Sequence, residues 1–272
     1  MNDPHAGHLP LLDPQFLDSE AARPIRFLSE YLEPEARLDR LGVRDTVVFL
    51  GSSRLPEPAQ AQATLARIRA EGGDTTEAEA MAAMAVYHDH AAALAQRLTE
   101  WSARHGDGDH RFVVCTGGGP GVMAAANRGA MEAGGPSMGL NITIPEEQTT
   151  NPHVSPDLSF EFRYFFMRKF WFVYMAKAFV ILPGGFGTLD EFFEVLTLKQ
   201  TGRVDGPLPV VLLGARYWNE VINFDAMVAH GTVPRADLDL FLTTDSVDGA
   251  FKFLTKQLAG RPLEKPGPVM AP

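Results

Sequence analysis

The chain has 272 residues, 45% of them hydrophobic and 21% charged, which is the composition of an ordinary globular protein with a sizeable core. Its net charge of −10 argues against binding a nucleic-acid backbone, because that task needs clustered Lys and Arg side chains. A small anionic ligand needs only one local positive site. The composition therefore excludes a nucleic-acid partner but leaves a small anion open.

Targeting and metal-binding signals are missing from the sequence. Its first thirty residues do not resemble a signal peptide, and no run reaches the roughly 20 apolar residues of a membrane-spanning helix. We therefore expect a cytoplasmic protein with no membrane partner. The single cysteine, Cys115, lies in an apolar run and is expected to be a buried thiol. The stretch His88-Asp89-His90 is expected to be solvated on a polar helix, so no metal site is predicted.

Strands and helices alternate along the chain. Residues 1–42 are rich in proline and charge, with a helix predicted at about 24–32, and should form an extension on the outside of the domain. The run 46–50 predicts a buried strand, and 57–104 predict two helices broken at 72–76. The remaining predicted elements are strand 111–116, helix 122–133, strand 137–142, helix 162–175, strand 178–182, helix 189–199, strand 209–213, and helices 218–230 and 247–258.

This alternation predicts an α/β fold, a Rossmann-like open parallel sheet with helices on both faces. We expect one domain over residues 43–260 and a loose, proline-rich tail at 261–272. In such sheets the ligand binds outside the carboxyl ends of the strands. Two glycine-rich turns directly follow predicted strands, so both are expected at that edge.

The first glycine-rich turn is Gly117-Gly118-Gly119-Pro120-Gly121, between a strand and an alanine-rich helix. Bare backbone N–H groups beside a helix N-terminus favour phosphate, although the turn could instead serve only to pack the helix on the sheet. The spacing is not G-x-G-x-x-G, and Asn141 stands where a nicotinamide cofactor would want an acid, about 20 residues on. The G-x-x-x-x-G-K-[ST] pattern of nucleoside triphosphatases is also absent. We therefore expect no cofactor.

The second turn, Pro183-Gly184-Gly185-Phe186-Gly187-Thr188, is followed closely by Glu191. Two interpretations are open. Thr188 at the N-cap and Glu191 three residues later would form a capping box that only stabilises the helix. Alternatively, the glycines bind an anion and Glu191 faces a ligand.

Arg168 and Lys169 are two adjacent cations in an otherwise apolar helical stretch. Lys169 can extend its stem to water, whereas Arg168 needs a carboxylate, a carbonyl or a ligand anion near the core. Glu191 is the attractive partner for Arg168, 23 residues further along, which is 191 − 168. A purely structural ion pair remains the alternative.

Together, Met167-Arg168-Lys169 and the P-G-G-x-G-T-x-x-E run from Pro183 to Glu191 resemble the signature of the LONELY GUY (LOG) family of cytokinin-activating phosphoribohydrolases. The chain looks most like the longer bacterial branch, whose members are often labelled lysine decarboxylases. The resemblance implies that Arg168 and Glu191 are catalytic and that the protein is a dimer or larger homo-oligomer. It also implies a site for the phosphate and sugar, formed by Gly117, Gly118, Gly119, Gly121, Gly184, Gly185, Gly187 and Thr188, with Ser52, Lys169 and Asn141 as candidate further pocket residues.

The expected reaction is hydrolysis of the N-ribosidic bond of a nucleoside 5'-monophosphate, either a cytokinin riboside 5'-monophosphate or AMP, to free base and ribose 5-phosphate. We expect Glu191 to stabilise the cationic sugar and to orient or deprotonate water, with Arg168 positioning Glu191 and keeping it ionised. One alternative is a general purine or pyrimidine nucleotide nucleosidase. Another is a nucleotide- or cofactor-carrier protein that keeps the glycine loops but performs no chemistry.

Overall fold

A computed structural model of the chain describes residues 9–104, 109–144, 149–204 and 207–259. The predicted tail at 261–272 lies outside the described residues. The strands are β1 (Thr46–Leu50), β2 (Val113–Thr116), β3 (Ser137–Ile142), β4 (Ser159–Phe162), β5 (Ala176–Ile181), β6 (Val210–Leu213) and β7 (Leu242–Thr244). They form one parallel sheet in the order β4-β3-β2-β1-β5-β6-β7.

The α-helices of the described residues lie between and around these strands. Within this part of the chain, no helix is both long and apolar enough to cross a membrane. The helices are α1 (Pro14–Asp18), α2 (Arg23–Arg40), α3 (Pro58–Ala70), α4 (Thr76–Met84), α5 (Val86–Ala103), α6 (Val122–Glu132), α7 (Phe165–Met175), α8 (Phe186–Gln200), α9 (Ala215–Val221), α10 (Phe224–Ala229) and α11 (Val247–Leu258).

Two hydrophobic cores lie on opposite faces of the sheet. Val48 and Leu50 of β1 pack in the core formed with α2, α7, α8 and α9. Val47 and Phe49 pack in the core formed with α5, α6 and α11. A parallel strand covered on both faces is buried along its whole length, which explains the continuous apolar run of β1. The predicted open parallel sheet with helices on both faces is confirmed.

The order in which successive strands are added to the sheet reverses between β1 and β5. Strands β2, β3 and β4 follow one another on one side of β1, and β5, β6 and β7 follow on the other. The crevice beyond the carboxyl ends of β1 and β5 is therefore the topological switch point, where open α/β sheets bind ligands. Both glycine-rich turns open onto this edge.

Several predicted element boundaries were wrong. Residues 57–104 form three helices rather than two, because the chain bends at the fully buried Ala85, where neither glycine nor proline marks the change. The expected helix 218–230 is divided before α10, whose first turn is capped by the Asn223 side chain. The predicted strand 111–116 begins only at Val113, because Phe112 has a φ of 52° and its N–H binds the buried carboxylate of Asp45.

Strands β4 and β7 were not predicted from the sequence. Residues 159–162 alternate buried and exposed side chains over only four positions, which is too short a pattern to separate from the apolar helix that follows. The expected helix 162–175 therefore begins at Phe165 instead. β7 has three partly buried residues at the sheet edge, too few to give a periodic signal.

The N-terminal helix α2 packs on α7 and runs well beyond the predicted 24–32. Trp171 of α7 donates its indole N–H to the carbonyl of Glu30 at 2.8 Å. The Glu30 carboxylate accepts the backbone N–H groups of Arg163 at 2.8 Å and Tyr164 at 3.3 Å, just before α7 begins. Much of the apolar surface of α7 is thus covered within the same chain.

Candidate functional site

Ser52 connects the two glycine-rich turns. Its backbone N–H donates to the carbonyl of Pro183 at 2.9 Å, and its carbonyl accepts the N–H of Val122 at 3.1 Å. A Cβ on Gly121 would lie 2.4 Å from that same carbonyl oxygen. The turns after β2 and β5 therefore meet at one place on the sheet edge, as the sequence predicts.

The first turn, residues 117–121, is shaped mainly by internal packing. Gly118 has a φ of +73°, and a Cβ there would lie 2.3 Å from the Asn141 side-chain oxygen. Its N–H donates to the Thr116 hydroxyl at 2.9 Å, so this amide already has an acceptor inside the protein. Asn141 is buried beneath the turn and donates to the carbonyl of Phe160. The structure thus assigns Gly118 and Asn141 to the framework of the turn, and Gly117 and Gly121 at its ends are partly exposed.

Gly185 and Gly187 of the second turn are exposed and face open space. A Cβ on either residue would meet no atom within 4 Å, whereas a Cβ on Gly184 would lie 2.2 Å from the Thr188 hydroxyl. Because Gly185 and Gly187 are not required by packing, they are available for close approach by a ligand. The first N–H groups of α8 have no acceptor within the helix, and its dipole favours an anion there.

The capping-box interpretation of Thr188 and Glu191 is wrong. α8 begins at Phe186, its N-cap is Gly185, and no side chain caps it. Thr188 is therefore the third helical residue and Glu191 the sixth, beyond the first-turn amides that a capping box joins. Gly185 has an extended backbone and forms the N-cap, so the helix begins at Phe186, three residues before the predicted start at residue 189. Capping thus does not account for Glu191.

Arg168 and Glu191 are paired, as expected. Arg168 Nη2 lies 3.0 Å from Glu191 Oε1, and the two side chains are 14% and 13% exposed. The guanidinium also lies 5.4 Å from the Phe165 ring centre and 5.6 Å from that of Phe172. A Cβ on Gly117 would lie 3.9 Å from Arg168 Nη1. The pair therefore joins α7 to α8 directly beside the first glycine turn.

Glu191 has a pKa raised from its usual range to about 7. Burial is the main cause, and the Arg168 charge lowers the pKa without offsetting it. Arg168 therefore favours the ionised carboxylate, as expected, but does not hold it fully ionised at neutral pH. Burial, together with the Glu191 charge, also raises the pKa of Cys115, which is buried as predicted. A carboxyl group with a pKa near 7 suits proton transfer at neutral pH.

Lys169 lies beside this pair but is engaged in two further ion pairs. Its Nζ lies 3.0 Å from Asp190 and 3.1 Å from Glu194, both on α8. Arg168 and Lys169 thus fix α7 to α8 on either side of Glu191. The structure places Lys169 in this helix-to-helix contact.

A buried polar cluster behind the first turn was missed at the sequence level. It consists of Thr116, Asn127, Ser137 and Asn151, whose side chains are joined by hydrogen bonds. The only signals were an asparagine in an alanine-rich helix and an Asn-Pro pair in a loop. The expectation that His88-Asp89-His90 is solvated was wrong for His88, which is 4% exposed on α5, whereas Asp89 is exposed. Within the described residues, no group of three or more His, Cys, Asp or Glu side chains could hold a metal ion.

Known proteins resemble the part of the chain that carries Arg168, Glu191 and the second glycine-rich turn. The family model described as "Possible lysine decarboxylase" matches residues 123–254. The cytokinin riboside 5'-monophosphate phosphoribohydrolase of Rhodococcoides fascians is 28% identical over 149 residues, 51% of this chain and 70% of that protein. LOG5 of Arabidopsis thaliana, with the same enzyme name, is 28% identical over 160 residues, 58% of this chain and 65% of that protein. This chain is therefore LOG-like in the part that carries the Arg168–Glu191 pair.

A solved structure also resembles this LOG-like chain. The Moco carrier protein from Chlamydomonas reinhardtii gives a TM-score of 0.46 at 21% identity, covering 80% of this chain and 99% of that one. The family match includes Arg168, Glu191 and the second glycine-rich turn, whereas β1 and α2 precede it. The match to LOG5 spans just under two thirds of that relative's own length.

Proposed function

We propose that the chain hydrolyses the N-ribosidic bond of a nucleoside 5'-monophosphate, releasing the free base and ribose 5-phosphate. The observation that carries this proposal is the Arg168–Glu191 pair, 3.0 Å apart and largely buried beside the glycine-rich turns. Its carboxyl group has a pKa of about 7. Neither capping nor packing of α8 requires a carboxylate at this position.

The phosphate would bind at the exposed start of α8 and at the partly exposed ends of the first turn. Gly185 and Gly187 allow close approach, and the unpaired first-turn amides supply donors. Arg168 Nη1, on the side of Gly117, adds local positive charge in a protein of net charge −10. Phosphate bound here holds the sugar in place for reaction at its C1' atom.

Glu191 would act on the sugar. Breaking the bond between C1' and the base builds positive charge on the ribose, which an ionised carboxylate stabilises. Water adds its hydroxyl group to C1', the electron pair of the broken bond goes to the base nitrogen, and the proton from water ends on the base. Glu191 accepts that proton from the attacking water, for which its pKa of about 7 is suited. Arg168 positions the carboxylate and returns it to the charged form.

The experiment that tests this function is product analysis with the purified full chain. We expect incubation with AMP to release adenine and ribose 5-phosphate in equal amounts, measured by chromatography and a reducing-sugar assay. Tight binding of AMP without release of adenine would contradict the proposal and favour a carrier. Release of phosphate instead of adenine would show that the phosphate ester, not the N-ribosidic bond, is hydrolysed, and would also contradict the proposal.

A panel of monophosphates compared by kcat/KM distinguishes cytokinin activation from general nucleotide turnover. We propose an AMP-like substrate class, in which the exposed glycines of the second turn would bind the phosphate and Glu191 would face the sugar. A pocket suited to an N6-isoprenoid tail would favour the isoprenoid monophosphates over AMP. Similar values across purine and pyrimidine monophosphates would indicate a general nucleosidase.

We also infer that the protein is a homo-oligomer. Leu28 and Leu32 of α2 and Phe165 and Phe166 of α7 are each more than half exposed on neighbouring helices. Large apolar side chains grouped in this way are common where a second copy binds. Light scattering should give a mass of at least two chains at micromolar concentration, and a monomer there would contradict this inference.

A further inference from the structure

Asn151 lies behind the first glycine-rich turn and binds its carbonyl groups. Its Nδ2 lies 3.0 Å from the carbonyl oxygens of both Gly118 and Gly119. Its backbone N–H donates to Gly118 as well, at 2.8 Å. The Asn151 side-chain oxygen accepts the N–H of His153 at 3.1 Å, which fixes the orientation of the amide. Both the nitrogen and the oxygen of this buried side-chain amide therefore form hydrogen bonds.

Asn127 anchors Asn151 to the body of the protein. Its side-chain oxygen accepts from Asn151 Nδ2 at 3.0 Å and from the Thr116 hydroxyl at 2.7 Å. Its Nδ2 donates to the Ser137 hydroxyl at 2.6 Å. Asn127 is fully buried on α6, so the cluster joins β2, β3 and α6. Such a satisfied buried network is rigid, because moving one member leaves another unpaired.

The peptide between Gly118 and Gly119 is the flexible element that this cluster restrains. Two adjacent glycines allow a peptide plane to rotate easily, because neither has a side chain to resist it. In a trans peptide the carbonyl and the next N–H point in opposite directions. Rotation would turn the Gly118 carbonyl, which now faces Asn151, towards the edge of the sheet. A carbonyl oxygen there would repel a bound phosphate, whereas an N–H attracts it.

We infer that Asn151 is a positioning residue, which holds the Gly118 carbonyl inward so that the N–H of the next residue, Gly119, faces the substrate phosphate. This inference rests on the proposed function. It assigns a task in substrate binding to a residue that contacts neither Arg168 nor Glu191 in the described hydrogen bonds. Asn151 acts through the glycine turn, so it should affect the binding of phosphate-bearing ligands selectively.

The test is calorimetric titration of AMP and of adenosine into the full chain carrying Glu191→Gln, so that substrate is not consumed. Adding Asn151→Ala should weaken AMP binding at least about tenfold, the scale of one hydrogen bond to a charged group, with adenosine binding unchanged. Asn151→Asp keeps the acceptor for His153 but places negative charge against the two carbonyls, and should weaken AMP binding further. Asn223→Ala is the matched control, because that asparagine caps α10 and should leave both affinities unchanged.

Each outcome separates this inference from the proposed function. Unchanged AMP affinity in a folded Asn151→Ala variant, or equal losses for AMP and adenosine, would overturn the positioning role and leave the function intact. Absence of AMP binding by the Glu191→Gln parent would overturn both. If neither Asn151 variant folds, amide hydrogen exchange of Gly119 and Asn151 in the wild-type chain decides. The Asn151 N–H, which donates to the Gly118 carbonyl, should be protected without AMP, and the Gly119 N–H should gain protection on adding AMP. An Asn151 N–H that becomes protected only with AMP, or a Gly119 N–H that AMP does not protect, would overturn the inference.

Discussion

Two opposing effects set the charge of the Glu191 side chain. Burial disfavours its charged form, while Arg168 at 3.0 Å favours it, and the resulting pKa of about 7 shows that burial has the larger effect. A buried carboxylate of this kind reduces stability whenever it is ionised. Function, rather than packing, is the better explanation for an acid in this position.

Our first prediction is that Glu191→Gln becomes increasingly stable relative to wild type as the pH rises. The folded pKa of about 7 lies above the ordinary value of 4.5, so between them the native protein binds more protons than the unfolded chain. The contribution of Glu191 to stability therefore falls over this range, and glutamine removes that loss. Urea unfolding at pH 5 and pH 8 should show the difference between the two proteins growing by up to about 3 kcal/mol. A difference independent of pH would contradict the raised pKa.

Our second prediction concerns the titratable groups that face Glu191, which are Arg168 and Lys169 on α7, Asp190 and Glu194 on α8, and the Cys115 thiol on β2. Lys169 lowers the pKa of Glu191, and Asp190 raises it. Lys169→Met should therefore raise the pH at which kcat/KM begins to fall on the acidic side of its pH profile. Asp190→Asn should lower that pH. Shifts of the same sign in both variants would show that Glu191 does not set it.

At the scale of elements, α2 holds the beginning of the helix that carries Arg168. The Glu30 carboxylate accepts two backbone N–H groups before α7, which have no acceptor within that helix. Sequence patterns predicted part of α2 but not this contact, since Glu30 lies 133 positions from Arg163. Contacts between distant segments leave no periodic signal in the sequence.

Our third prediction is that Glu30→Ala lowers the free energy of unfolding by about 1–2 kcal/mol, the usual cost of losing a helix cap. The control is Glu20→Ala, which removes an exposed ion pair with Arg23 and should cost less than about 1 kcal/mol. Urea unfolding of both variants measures the difference. Equal effects would mean that α2 does not stabilise α7 through this carboxylate.

Elements with strong local patterns could be predicted from the sequence, and short or context-dependent ones could not. The strands 46–50 and 137–142 and the helix 247–258 were predicted with the observed bounds, because each has a local hydrophobic pattern next to turn or cap residues. The start of α8 was placed too late, since Gly185 forms the N-cap without a side-chain signal. The Arg168–Glu191 pair was predictable because a lone arginine in an apolar helix needs a partner. The cluster around Asn127 was not, because its members are brought together only by the fold.

At the scale of the whole molecule, an acidic chain must bind an anion through a small and well-placed positive region. The sheet order brings the turns after β2 and β5 to one edge, where Arg168 and the start of α8 lie. Packing explains Gly118 and Gly121 without any ligand. It does not explain Gly185 or Gly187, so we propose that the second turn binds the phosphate together with the Gly119 N–H of the first turn.

Our fourth prediction is that AMP raises the melting temperature of the full chain and adenosine does so far less. A ligand that binds only the native state stabilises it according to its concentration and affinity. If phosphate supplies much of that affinity, the nucleoside should bind weakly at the same concentration. Thermal unfolding with each ligand at equal concentration measures this. Equal shifts would exclude a main role for the phosphate.

The central claim is that Glu191 acts on the ribose, and adenine release from AMP by the Glu191→Gln variant tests it most directly. The assay compares wild type, Glu191→Gln and the control Glu220→Gln at pH 8, with folding checked by circular dichroism. Glu220 is exposed on α9 and lies 3.5 Å from Arg216 in a surface pair, so its variant should keep wild-type activity. Glu191→Gln should release adenine at least about a hundredfold more slowly, the scale of one well-placed acid–base or electrostatic group. Near-normal adenine release by a folded Glu191→Gln protein would contradict the account.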